Sequence, residues 1–470
     1  MEILIPEPAI IVIFGITGDL VKRKLLPALN NLIQAGLLHE KTVIVGVTRQ
    51  NIDQKELIAR LTNDETLYDK TTIDALRQKL IVQTMDITKS SEYEKLLVSL
   101  NSLEDKYGVC LNRLYYLSIP PQVFMPIVRY MGENGLNTSC QHGIAETRLL
   151  VEKPFGYDYD SAEELIKETS KYFKEEQVFR IDHYLAKETV QNILSFRFSN
   201  AVFESVWDNK NIGKIEITAI EKIGIEGRSV FYEQVGALRD IIQSHLLQLM
   251  AVVMMEEPKV LESKEIHKSK LELLESVVPI SKDEVSKLTV RAQYETYRNE
   301  VNNPKSRVET FAAIKVSINN SRWSGVPIIL KTGKKLSEKK TEVSVIFKPS
   351  TSDKSKHNRL TFRIQPNEGI QVELFVKKPG LDNQLEAVDM DFSYSRFFDA
   401  KSNPDAYERV LVDAIKGDRT LFTTSQEVLA AWKIVDPILE YWSQTDDGLL
   451  TYKNDSAGPS NLPDWLEETL

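Results

Sequence analysis

A glycine-rich turn follows the first apolar run of the chain. Ala9 to Phe14 leads directly into Gly15-Ile16-Thr17-Gly18-Asp19-Leu20 and then into a segment with helical spacing. Glycines at a strand-to-helix junction let the backbone turn tightly and approach a pyrophosphate, which sits on the helix N-terminus. The pattern is GxxG rather than GxGxxG, so a ligand-free β–α turn stands as the alternative. Cofactor choice in such folds is made at the end of the second strand, where a carboxylate holds a ribose 2′-hydroxyl and an arginine suits a 2′-phosphate. The chain reads Val47-Thr48-Arg49-Gln50 there, with no carboxylate. NADP is favoured over NAD, with an ordinary solvated arginine as the plain alternative.

Further candidates lie along the chain. The stretch Asp182-His183-Tyr184-Leu185-Ala186-Lys187, if helical, puts His183 and Lys187 on one face, where both could meet a phosphate and Tyr184 could add a hydroxyl. A solvated lysine and a packed tyrosine at a helix N-terminus are the alternative. Lys153 precedes Pro154, which pushes it into extended conformation. A strand ending on it can project the lysine into the crevice where open α/β sheets bind ligands. His245 stands in an apolar helical run. A neutral imidazole there is either a base working at physiological pH or a satisfied core histidine. Asp240 lies five residues earlier, about 140° away round an ideal helix, so the two cannot project the same way from a straight one. Lys334 and Lys339 fall in the charge run Lys331 to Lys340, ordinarily a solvated loop.

These residues need elements to hold them. The chain has 470 residues, enough for two or three domains. No apolar run reaches the roughly 18–20 residues of a membrane span, and the opening lacks the basic region and cleavage site of a signal peptide. The two cysteines, Cys110 and Cys140, form no CxxC pair and have no histidine at zinc spacing. Reduced cysteines, no metal site and a cytoplasmic location are expected. A net charge of −9 argues against nucleic acid as the main partner.

From residue 1 to about 185, strands predicted at Ala9 to Phe14, Thr42 to Val47, Leu80 to Met85, Leu114 to Ser118, Thr147 to Val151 and Val178 to Ile181 alternate with helical segments. This order implies a Rossmann-like, doubly wound parallel sheet in an α/β domain spanning 1–185. From 186 to 470, alternating runs at Lys214 to Ile220, Ala312 to Ile318, Glu342 to Phe347, Leu360 to Ile364 and Ile370 to Val376 predict an α+β domain on one large, mainly antiparallel sheet. Two long helices accompany it, Gly236 to Met255 and Ser425 to Trp442. The segment Lys348 to His357 reads as a polar loop, and the tail after Gln444 as loosely held.

Several stretches taken together resemble the glucose-6-phosphate dehydrogenase family: Gly15 through Leu25, Glu152-Lys153-Pro154-Phe155-Gly156-Tyr157-Asp158, Arg180 through Glu188, Arg239 through His245, and Arg322-Trp323-Ser324-Gly325-Val326-Pro327 through Lys334 and Lys339. They occur in the family's order over nearly the whole chain. The resemblance implies oxidation of D-glucose 6-phosphate at C1 to 6-phospho-D-glucono-1,5-lactone with hydride transfer to NADP⁺, the first step of the oxidative pentose phosphate pathway. It makes His245 the base and Asp182 its orienting carboxylate. It gives the 6-phosphate to His183, Tyr184 and Lys187, sugar hydroxyls to Glu221 and Asp240, further sugar or phosphate contacts to Lys334 and Lys339, and a bridge between substrate and cofactor to Lys153. The peptide bond before Pro154 is implied to be cis. Cofactor contacts fall to Gly15, Thr17, Gly18, Asp19, Leu20, Lys24, Arg49 and Lys153. A dimer or dimer of dimers through the large sheet is implied as well. Ala186 and Ser244 stand where the family commonly has glycine and asparagine. A related NADP-linked sugar oxidoreductase and a catalytically silent nucleotide sensor are the competing readings.

Overall fold

Unbroken runs of valine, isoleucine and phenylalanine offer no polar face, so such strands are stable only when covered on both sides. The computed structural model describes residues 5–62, 70–138, 145–350, 355–398 and 404–467. In it Ala9–Phe14 (β1) and Val43–Thr48 (β2) are buried along their whole length. With Leu80–Thr84 (β3), Asn112–Leu117 (β4), Thr147–Val151 (β5) and Val178–Ile181 (β6) they form a parallel sheet. The strand order is β6-β5-β4-β1-β2-β3, and a short strand, Phe422–Thr423, is added antiparallel to β6. The chain therefore winds outward from β1 in one direction and from β4 in the other. The junction of β1 and β4 is the topological switch point, where ligands of such sheets bind.

This first compact unit comprises Met1–Gly156, Asp160–Ala186 and Pro404–Ser425. The last piece departs from the expected division, which gave everything beyond residue 185 to the second domain. The helix Ala406–Lys416 carries Tyr407, Val410, Leu411, Ala414 and Ile415 into the same core as β1 and the helix Leu26–Gln34. Arg148 of β5 donates to the carbonyls of Ala414 and Ile415 at 2.9 and 2.6 Å, satisfying a helix end that would otherwise bury unpaired oxygens. Nothing in the local pattern of that helix says which sheet it will cover. Cys110 is disulfide-bonded, which corrects the expectation of reduced cysteines. Spacing along the chain does not measure proximity in the fold. Cys140 and residues 351–354 of the polar loop lie outside the described residues.

The second unit comprises Tyr157–Tyr159, Lys187–Asn403 and Gln426–Leu470. Its sheet is built from Ile212–Ile220 (β7), Thr289–Tyr294 (β8), Phe311–Val316 (β9), Ile328–Gly333 (β10), Lys340–Phe347 (β11), Arg359–Gln365 (β12), Gly369–Lys377 (β13) and Leu385–Ser393 (β14), with Leu449–Tyr452 at one edge. The order is β14-β13-β12-β11-β7-β10-β9-β8-Leu449–Tyr452. Pairing is antiparallel except for β7 with β10 and β8 with Leu449–Tyr452. The tail expected to be loosely held is thus partly a strand. Its signal is short and flanked by polar residues, but Tyr452 is buried and donates to the Lys334 carbonyl at 2.6 Å. Among the described residues, no helix is long and apolar enough to cross a membrane.

The helix predicted from Gly236 to Met255 follows a break at Gly236 and runs as two contiguous segments. Gly236 takes φ 69°, ψ 176° and ends the helix Ser229–Ala237. Leu238–Leu246 is π-helical and Leu247–Met254 is α-helical and wholly buried. A helix C-terminus in an apolar core leaves several carbonyls needing donors. Here Arg197 donates to Met255 O at 2.9 Å, Trp207 Nε1 to Val253 O at 2.8 Å and Trp323 Nε1 to Met254 O at 2.7 Å. Arg322, beside Trp323, pairs with Glu204 and Glu256. Removing a donor while leaving its buried acceptor costs about 1–3 kcal/mol. Trp323→Phe is therefore expected to lower unfolding stability by that amount in denaturant titration. An unchanged midpoint would mean that the Met254 carbonyl finds another donor.

Candidate active site

In the first unit, Gly15 has φ 78°, a conformation in which L side chains are strained. A Cβ there would lie 2.2 Å from the Ser118 carbonyl oxygen at the end of β4. Gly18 N donates to Gly15 O at 2.9 Å and the chain turns into a helix from Asp19. The tight glycine turn therefore sits at the switch point, with backbone where a larger residue would block approach. Thr17 and Asp19 are exposed and Leu20 is partly buried. Asp19 pairs with Arg23, and Lys24 lies 3.7 Å from Asp405. Arg49 follows β2 directly and is exposed. These residues fit a dinucleotide, with a backbone cradle for a pyrophosphate and an exposed guanidinium at the end of β2.

Lys153 and Pro154, just past β5, are joined by a cis peptide bond. Glu152 before them is partly buried. It accepts from the Tyr116 hydroxyl, and its carboxyl is pushed up to about 7, chiefly by burial and further by Asp182, against Tyr116 and Lys153. Asp182 is buried, and its Oδ1 accepts from Tyr184 N at 2.9 Å. That contact belongs to a turn, and residues 183–186 do not form the predicted helix. A short polar side chain that bonds to the backbone two residues on competes with helix. The shared-face argument for His183 and Lys187 therefore fails. The His183 ring instead stacks on Tyr407 at 6.4 Å and 14° and meets Tyr184 edge-on at 5.0 Å. Tyr407, from the returning segment, had no sequence signal, nor did the partial burial of Glu152.

In the second unit, Lys187 caps the helix Glu188–Phe198. Its Nζ donates to Gln365 Oε1 at 2.8 Å, while Gln365 Nε2 donates to Thr341 Oγ1 at 3.1 Å. Gln365 is the last residue of β12 and was not among the predicted site residues.

The parallel register of β7 and β10 pairs Ile220 with Gly333, so the next residues, Glu221 and Lys334, emerge side by side. Lys334 Nζ donates to Glu221 Oε2 and lies 3.9 Å from Asp240 Oδ2. The ammonium also sits 5.4 Å from the Tyr232 ring centroid. Lys334 is only 3% exposed, so the reading of it as part of a solvated loop is wrong. Lys339 is exposed and outside this cluster.

His245 is 1% exposed and shares the π-helical turns with Asp240. In such turns the bond pattern is i→i+5, seen where Leu247 N donates to Ile242 O. Residues five apart then fall nearly above one another, which removes the angular conflict an α-helix would impose. The Ser244 hydroxyl donates back to the Asp240 carbonyl at 2.7 Å. A buried imidazole thus shares a helix face with one carboxylate of a cluster that offers acceptors and a cation to a polyhydroxyl ligand.

Two family descriptions match. "Glucose-6-phosphate dehydrogenase, NAD binding domain" covers residues 12–192, and "Glucose-6-phosphate dehydrogenase, C-terminal domain" covers residues 194–469. The glucose-6-phosphate 1-dehydrogenase of Chlamydia muridarum is 40% identical, covering 98% of this chain and 95% of its own. That of Bacillus subtilis is 38% identical, covering 97% and 96%. A solved structure of glucose-6-phosphate dehydrogenase in complex with its substrate glucose-6-phosphate superposes with a TM-score of 0.90 at 31% identity, covering 98% of this chain and 97% of that one. The enzyme from Mycobacterium avium gives a TM-score of 0.84 at 32% identity, covering 97% and 95%. With both family domains matched in order along nearly its whole length, the chain belongs to the glucose-6-phosphate dehydrogenase family.

Proposed function

We infer that this chain oxidises D-glucose 6-phosphate at C1 to 6-phospho-D-glucono-1,5-lactone, with hydride passing to NADP⁺, as the first step of the oxidative pentose phosphate pathway. The observation that carries the reading is the convergence of Lys334, Glu221 and Asp240 on the helix that bears His245. Each carboxylate accepts from sugar hydroxyls in strong, charge-assisted bonds. His245 takes the C1 hydroxyl proton while hydride leaves C1, and the C1–O bond becomes the lactone carbonyl. In the family's pattern Asp182 holds the tautomer and stabilises the imidazolium. His183, Tyr184 and Lys187 take the phosphate, aided by Gln365 on Lys187, and Lys339 is the weakest member of the set. NADP⁺, when bound, supplies the hydride acceptor. The Gly15–Leu20 turn with Lys24 holds its pyrophosphate, and Lys153 spans it and the sugar. Preference for NADP⁺ over NAD⁺ rests on Arg49 with no carboxylate at the end of β2.

The chain works as a homodimer or dimer of dimers. The support is the outer edge of the large sheet. Strand β14 is an edge nine residues long, with Leu385, Val388 and Met390 exposed and Phe397 and Phe398 exposed just beyond it. Apolar edges of that length are covered in native proteins.

His245→Asn is expected to reduce kcat/KM for glucose 6-phosphate by about 10²–10⁴-fold, followed by nicotinamide absorbance, with sugar-phosphate binding retained. Strong wild-type activity on unphosphorylated glucose would favour a different sugar oxidoreductase. Tight NADP⁺ binding with no turnover of either sugar would favour a sensor.

Glu152 gives a pH test of the first unit. Its folded-state carboxyl near 7 lies above the unfolded value of 4.5, so the folded protein binds the extra proton between them. Stability relative to Glu152→Gln then falls as pH rises through that window and stays low above it. A loss of about 3 kcal/mol between roughly pH 5 and pH 8 is expected from paired denaturant titrations. Parallel curves for the two proteins would mean that Glu152 is ionised throughout.

A further inference from the structure

The π-helical turns with Asp240 and His245 begin directly after Gly236, and no nearby side chain caps them. The cap comes from 71 residues further on. Glu309 Oε1 accepts from Leu238 N at 2.8 Å, and the Glu309 carbonyl accepts from Ala237 N at 3.0 Å. Glu309 is 5% exposed. Its carboxylate also fills the space over Gly236, where a Cβ would lie 2.5 Å from Oε1. The next residue, Thr310, accepts from Lys334 N at 2.9 Å, and the Tyr452 hydroxyl ties the Thr310 and Lys334 carbonyls together. Two consecutive residues at the entry to β9 therefore hold both sides of the cluster: Glu309 holds the helix of Asp240, and Thr310 holds the backbone of Lys334. Asp240 and Lys334 lie 3.9 Å apart, on the two segments that this junction contacts.

We propose that Glu309 is a positioning residue for the sugar site, fixing the start of the Asp240–His245 helix relative to Lys334 by the reach of its carboxyl to Leu238 N–H. The inference rests on the reading of Asp240 and Lys334 as sugar-binding groups. Helix starts in an apolar setting need an acceptor for their free N–H groups. An acid there also complements the helix dipole. The reach of the side chain is the property that matters, which makes the idea separable from a general loss of stability.

The test compares wild type with Glu309→Ala, Glu309→Asp, Glu309→Gln and Asp240→Asn. For each, kcat, KM for glucose 6-phosphate and Kd for NADP⁺ are measured, with circular dichroism to establish folding. Ala removes the acceptor and Asp retracts it, so both are expected to raise KM for glucose 6-phosphate about tenfold, with NADP⁺ affinity unchanged within about twofold. Gln keeps an oxygen at the same reach and is expected to stay within about threefold of wild type. If Ala does not yield folded protein, the Asp and Gln pair decides the matter alone. The proposal is overturned if Asp leaves KM unchanged, or if kcat merely follows the folded fraction, or if Gln is as impaired as Asp. Should Asp240→Asn itself leave KM unchanged, the sugar-site reading fails and the proposal goes with it. A raised KM in Asp240→Asn with an unaffected Glu309→Asp would leave that reading standing and sink the proposal alone.

Discussion

A buried helix with both ends satisfied by side chains from distant strands and loops is the constraint on which the second unit depends. Leu238–Met254 runs through an apolar core, where water is not available to its terminal N–H and carbonyl groups. At one end a carboxylate, Glu309, receives Leu238 N–H. At the other a guanidinium and two indoles, Arg197, Trp207 and Trp323, meet the last carbonyls. The anion stands at the positive end of the helix dipole and the cation at the negative end, each the favourable arrangement. Each missing partner would leave a buried polar group at a cost of about 1–3 kcal/mol, so the helix is held in register from both directions. What it carries inherits that precision.

The first unit solves a different problem. A cofactor pyrophosphate needs bare backbone N–H groups at a helix start, with no side chain in the way. Gly15 stands in the turn at such a helix start, where β4 ends so close that the Ser118 carbonyl would touch a Cβ. The sheet order makes the closeness unavoidable, since β1 and β4 are hydrogen-bonded neighbours whose chains diverge to opposite sides. The returning helix Ala406–Lys416 then contributes Tyr407 to the face of His183. An aromatic ring lying nearly parallel to an imidazole limits its orientation through ring contact and not through either ring nitrogen.

Much of this was legible in the chain. The β-branched runs declared the parallel sheet, because a strand buried on both faces has to be apolar throughout. Gly15 through Leu20 marked the turn, since few other residues can take that backbone. Glu221, Asp240 and His245 were given their roles only by resemblance, and the meeting of Lys334 with Glu221 and Asp240 was invisible, because it arises from strand register and from a π-helical segment. The angular objection to Asp240 and His245 was sound for an α-helix and fails only because i→i+5 bonding changes the angle. Lys334 looked like a loop lysine because its neighbours Lys335 and Lys339 are charged. Its burial follows from the pairing of β10 with β7, which no local pattern encodes. Gln365, Tyr407 and Glu309 carried no signal at all. Each acts on a residue far away in sequence, and the Asp182–Tyr184 contact that stops a helix looks like nothing more than an aspartate.

Burying Lys334 against Glu221 and Asp240 does little for stability. Desolvation of ions inside a protein rivals or exceeds what their attraction returns, and well-packed apolar residues would often serve the fold better. Such a cluster persists where the charges are needed at fixed positions for another partner. A sugar ring presents many hydroxyls in a fixed array, and distinguishing one arrangement from another requires acceptors and donors that do not move to suit the wrong one. Preorganised groups also need no rearrangement as the C1 hydroxyl loses its proton. The same logic explains why the cluster is braced by backbone contacts from Thr310 and Tyr452 in addition to its own ion pairs. Charges that were free to relax toward one another would neutralise themselves, and a rigid frame leaves part of their hydrogen-bonding capacity for another partner.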